Sequence, residues 1–79
     1  MTNMDRFIEE YRKALAHIVA TEPGEFAWPA SELETVLERM EKAFRARTFN
    51  HDGKGIRRAC KALGIKTTRT AILAYMETP

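Results

Sequence analysis

The first stretch of the chain places apolar residues at Met4, Phe7, Ile8, Tyr11, Leu15, Ile18 and Val19. Intervals of three and four line one side of an α-helix, so a helix is expected here. Thr2 or Asn3 can cap its start, because either side-chain oxygen can accept from a free backbone N–H of the first turn. It should stop at Glu22-Pro23-Gly24, where proline disfavours helical geometry in the residue before it. Glu9 and Lys13 form an i,i+4 pair on the wet side. The loop Glu25-Phe26-Ala27-Trp28-Pro29 follows, and its two large aromatics, Phe26 and Trp28, are expected to plug the core. Ser31-Glu32-Leu33-Glu34 then matches a capping box. The helix it opens turns Leu33, Val36, Leu37, Met40 and Phe44 inward and pairs Glu38 with Lys42 and Glu41 with Arg45 outward.

Thr48-Phe49-Asn50-His51-Asp52-Gly53 interrupts the pattern with turn-forming residues, and Asp52 or Asn50 is placed to cap a third helix. That helix is short. Ile56, Ala59, Cys60 and Leu63 form its apolar stripe, which throws Lys54, Arg57, Arg58 and Lys61 outward. Gly64 can adopt the left-handed conformation that ends it, and Thr67 or Thr68 can cap a fourth helix running to about Glu77. There is no β-alternation of useful length and no internal repeat. The expectation is an all-α, four-helix small domain over residues 1–79, with an acidic helical hairpin (1–47) and a basic unit (48–79).

Within the basic unit, Ala59-Cys60 supplies small residues where two helices would cross, and Leu63-Gly64-Ile65 supplies a sharp corner flanked by apolar anchors. With the apolar spacing that follows, residues 54–77 resemble the helix-turn-helix unit of DNA-binding proteins. The chain departs from that pattern at Thr70, where the family usually buries a branched aliphatic residue. Two registers are open. Either Thr70 and Leu73 face inward, or the turn is about two residues longer and Ile72 and Tyr75 do that work. The longer turn is preferred, since Thr68, Ile72, Tyr75 and Met76 form the better stripe. The resemblance implies that the last helix enters the major groove of double-stranded DNA and begins with Lys66, Thr67, Arg69 and Thr70. Arg69 would grip a guanine edge, and Lys54, Arg57, Arg58 and Lys61, with Arg45 and Arg47, would meet phosphates. The run from Asp52-Gly53-Lys54-Gly55-Ile56 into Ala59-Cys60-Lys61-Ala62-Leu63-Gly64-Ile65-Lys66 is also similar to small uncharacterised phage and prophage proteins.

Charge sharpens this division. The 79 residues carry a net +2, but residues 1–44 hold five Lys/Arg against nine Asp/Glu, net −4, and residues 45–79 hold eight against two, net +6. Such asymmetry points to a basic surface for nucleic acid, or to halves that face each other or a second copy. With 44% hydrophobic and 30% charged residues the composition is that of a folded globular domain. A chain this short hides only about 60–65% of its unfolded surface, which leaves little room for an elaborate buried active site.

The remaining chemistry is sparse. Cys60 is the only cysteine, so no internal disulfide forms, and a reducing, cytoplasmic setting is the default expectation. On the inward stripe it reads as a small buried hydrophobe, not a reactive thiol. His17 and His51 lack the paired spacing of metal ligands. Asn50 to Ile56 has the look of a calcium loop, but Lys54 occupies a ligand position. Gly53-Lys54-Gly55 is too incomplete for a nucleotide fingerprint, and Ser31, the only serine, is assigned to a cap. No catalytic residues, metal or small-molecule cofactor are expected. The longest apolar run, Ala71 to Met76, is far below the roughly 20 residues of a membrane span, and Asp5, Arg6, Glu9 and Glu10 break any signal-peptide core near the start.

That run makes the fourth helix apolar on nearly every side. Leu73, Tyr75 or Met76 is therefore expected to pack against a second copy or another protein, or else the C-terminus frays with one exposed leucine. The function these residues favour is non-catalytic DNA binding, with a homodimer as one arrangement. The alternative is a protein-interaction module, an adaptor or inhibitor that uses the fourth-helix hydrophobes or the acidic helices.

Overall fold

Thr2 begins the first helix, α1 (Asn3–Thr21): its hydroxyl accepts from the Asp5 backbone N–H at 3.1 Å while the Asp5 carboxylate accepts from the Thr2 N–H at 3.3 Å. Two N–H groups that the helix leaves unpaired are thereby satisfied. The computed structural model describes residues Met1–Pro79. After a loop and a 3-10 turn at Ala30–Glu32 come α2 (Leu33–Ala46), α3 (Lys54–Leu63) and α4 (Arg69–Glu77), with no strand. The fold is an all-α small domain.

α1 is the spine. Met4, Phe7, Ile8, Tyr11, Leu15 and Ile18 are all buried along its inner side, and α2, α3 and α4 each pack against it, α3 most broadly. α3 and α4, although consecutive, touch each other only marginally. Ala59 and Cys60 are fully buried, yet the small residue that decides a close helix approach is Gly55. A Cβ placed on it would lie 3.1 Å from Tyr11 Cε1 and 3.4 Å from Leu15 Cδ1, so the first turn of α3 sits against α1 at a distance no larger residue allows without displacement.

Phe44, from α2, fills the space between the helices. It meets Phe7 and Tyr11 edge-on, with centroids 5.2 and 5.0 Å away, and Phe49 at a tilt, 5.3 Å away. Quadrupoles favour such edge contacts over face-to-face stacking. Ile72 and Met76 of α4 complete this core, with Leu73 and Tyr75 half-buried against it. Thr68 is the α4 cap, its hydroxyl accepting from the Ala71 N–H at 3.1 Å. The turn is thus the longer of the two registers, Thr70 is exposed, and Ile72 takes the inward position. The burial of Ile72 and Met76 is achieved within one chain and needs no second copy.

Three local expectations are corrected. Ser31 does not cap α2, because winding begins earlier: the Glu32 N–H already bonds to the Pro29 carbonyl at 2.9 Å, which puts Ser31 inside the 3-10 turn, and the helix has no side-chain cap. Neither Asp52 nor Asn50 caps α3. Asn50 Oδ1 closes a local turn onto the Asp52 N–H at 3.2 Å, and Gly53 becomes the cap, its carbonyl accepting from the Arg57 N–H at 3.0 Å. Phe26 and Trp28 do not plug the core; they stack face to face at 4.8 Å on its edge, half-buried, each covering the other.

Both α2 and α3 end on a left-handed residue, at φ 59° for Arg47 and 71° for Gly64. In each case the N–H of the next residue reaches back five positions, from Thr48 to the Ala43 carbonyl and from Ile65 to the Cys60 carbonyl. Glycine adopts this geometry without strain and arginine does not.

The Gly55 approach yields a stability test. Gly55→Val should lower the free energy of unfolding by about 1–3 kcal/mol in urea melts, because the added methyls collide with Tyr11 and Leu15. Gly55→Ala should cost distinctly less, its one methyl being partly offset by better helix propensity.

Candidate nucleic-acid interface

The buried stripe of α3, built on Gly55, Ile56, Ala59 and Cys60, orients everything else on that helix. At 3.6 residues per turn, Lys54, Arg57, Arg58 and Lys61 fall within about 100° of arc on the opposite side. Arg57 and Lys61 are exposed and meet no carboxylate, and the same holds for Lys66 in the turn that follows. Arg57 and Lys61 form the open part of the basic face of α3, and Lys66 adds a third free cation in the turn beyond it.

Lys54 and Arg58 share that face but are held by the C-terminal end of α1. Glu22 accepts from the Lys54 ammonium and, through its other oxygen, from Arg58 Nη2 at 2.8 Å; Glu25 lies 3.7 Å from the same ammonium. The Lys54 hydrogen bond, followed by the attraction of both cations, holds the Glu22 carboxyl below its ordinary value, and the Lys54 ammonium is raised in turn.

Arg69 is also engaged. Its Nη1 donates to the Phe49 carbonyl at 2.9 Å, its Nη2 to the Arg47 carbonyl, and its guanidinium carbon lies 5.0 Å above the centre of the Phe49 ring. The group expected to meet a guanine edge instead fastens the start of α4 to the loop after α2. Around it, Arg47 pairs with Glu77 at 3.0 Å, and Arg45 pairs with Asp5 at 3.0 Å and Glu41 at 3.2 Å. Neither Arg45 nor Arg47 is left as a free phosphate contact. Arg45 holds the Asp5 carboxyl below its ordinary value, with help from the Thr2 hydroxyl. Thr67 is half-buried near the Cys60 thiol, and Thr70 is exposed.

The structure therefore distributes the expected site residues into two groups. Arg57, Lys61, Lys66 and Thr70 face solvent, while Lys54, Arg58 and Arg69 make contacts within the chain. Of the residues expected at an interface with a second copy, Met76 is a core residue, and Leu73 and Tyr75 are half-buried. Asn3, considered as a cap for α1, instead donates from Nδ2 to the Tyr75 carbonyl at 3.1 Å, which ties the two chain ends together.

No other site competes with this one in chemistry. Burial pushes the Cys60 thiol up and the Tyr11 phenol up to about 12, so both are neutral near pH 7. No cluster of three or more His, Cys, Asp or Glu side chains is placed to hold a metal ion. An open groove of about 420 Å³ lies beside Val19, Glu22, Phe26 and Trp28. No helix is long and apolar enough to cross a membrane. Comparison with models of protein families, with characterised proteins and with solved structures gives no match to this chain.

Two tests follow from the ion-pair geometry. Asp5 and Glu22 titrate below their ordinary range in the folded state, so their stabilisation is complete above that range and is lost as the pH falls through their lowered values. Urea melts should show stability declining below about pH 4, and Glu22→Gln and Asp5→Asn should each make that decline shallower. Arg69→Lys should destabilise the fold by about 1–2 kcal/mol, because an ammonium keeps the charge but cannot span both carbonyls while stacking on Phe49.

Proposed function

We propose that this protein is a non-catalytic DNA-binding domain whose principal contact surface is the outer face of α3 and the turn after it. The observation that carries this reading is the convergence of Lys54, Arg57, Arg58 and Lys61 on one solvent-facing arc, with Lys66 beyond, on a helix fixed from behind by α1. A rigid row of cations suits the regular spacing of backbone phosphates. Residues 54–77 resemble helix-turn-helix units in sequence, but α3 and α4 touch only marginally, so the contact surface is assigned to α3 and the turn carrying Lys66 and not to α4. A dimer is compatible with such a mode but is not required by it.

Salt dependence is the direct test. With three unpaired cations on the face, the slope of log affinity for random duplex DNA against log salt should be roughly −3. Replacing Arg57, Lys61 and Lys66 by alanine should bring it close to zero, as followed by fluorescence anisotropy. Glu22→Gln should release Lys54 and Arg58 and steepen the slope by up to about 2. Absence of binding to any duplex at low salt contradicts the proposal.

A further inference from the structure

We infer that the α3 face grips duplex DNA through its phosphates alone and does not discriminate base sequence; this rests on the DNA-binding reading above. The strongest direct readout comes from planar side chains that make two hydrogen bonds to one base edge: arginine for guanine, asparagine or glutamine for adenine. The chain contains no glutamine and two asparagines. Asn3 donates to the Tyr75 carbonyl, and Asn50 accepts from the Asp52 N–H. Neither lies on α3 or at the start of α4, so the face has no adenine reader.

The guanine readers are depleted in the same way. Arg69 heads α4, but its two terminal nitrogens are committed to the Phe49 and Arg47 carbonyls and its plane to the Phe49 ring. Freeing it would break both hydrogen bonds and uncover that ring, which a base contact would have to offset. Arg58 is held by Glu22. Arg57 is the one arginine of the face left unengaged, and its neighbours Lys61 and Lys66 are lysines, point charges suited to phosphate.

The test uses the full chain with a pool of 20-base-pair duplexes carrying a randomised centre. Binding followed by repeated selection should enrich no sequence, and individual duplexes drawn from the pool should agree in Kd within about threefold. Heparin, a polyanion without bases, should displace the duplex, and the Arg57/Lys61/Lys66 alanine variant should lose affinity equally for every duplex. A selected consensus bound more than tenfold tighter than the pool overturns this inference and leaves the DNA-binding reading standing. Binding to polyglutamate in the absence of any duplex binding overturns both and assigns the face to an acidic protein.

Discussion

The contact between Phe44 and the inner side of α1 is the one on which the remaining structure depends. Its ring is fully buried against Phe7 and Tyr11, and Phe49 leans on its other side. Phe49 in turn offers its face to Arg69, whose guanidinium holds the loop carbonyls and the first residue of α4. A line of contacts thus runs from the first helix through the second to the last. α4 has only nine residues and is too short to hold its shape alone, so its place is set by Ile72 and Met76 inside this core and by Arg69 at its beginning.

The same folding redistributes charge. Read along the chain, an acidic half precedes a basic one, but tertiary structure folds the first onto the second. Asp5 and Glu41 meet Arg45, and Glu22 meets Lys54 and Arg58. These pairs are solvent-accessible, so water and salt screen them and each adds little to stability. Their larger effect is on the surface, since they withdraw cations from solvent and leave Arg57, Lys61 and Lys66 as the open positive charge of the basic half. Of the explanations for the charge asymmetry, the structure shows halves that face each other in part, with three cations of the basic half left over.

Helix positions were legible because they rest on local periodicity: the α1 stripe, the Thr2 cap, the Gly64 terminator and the inward stripe of α3 all follow from spacing and backbone preference. The longer turn before α4 was legible for the same reason, through the stripe that begins with Ile72, although Met76 and not Tyr75 takes the second buried place. What was not legible depends on partners distant in sequence. Gly55 resembles a residue that eases a helix start, and only the approach of Tyr11 and Leu15 explains it. Arg69 resembles a base-reading residue until the Phe49 and Arg47 carbonyls are placed beside it. Ser31 satisfies a capping pattern that the earlier winding of the chain makes irrelevant, and Arg47 ends α2 in a conformation for which its residue type gives no signal. The candidate site was therefore half visible: the outward cations of α3 follow from its stripe, while their partial neutralisation by Glu22 does not.

The proposed DNA-binding surface is the outer face of α3, not the start of α4. Backbone amide NMR of the full chain titrated with a short random duplex tests it most directly. The predicted result is a set of shifts concentrated between Lys54 and Lys66, strongest at Arg57, Lys61 and Lys66, with Arg69 and its carbonyl partners unmoved. Shifts centred on Arg69 and the first turn of α4, or no shifts at low salt, would contradict it.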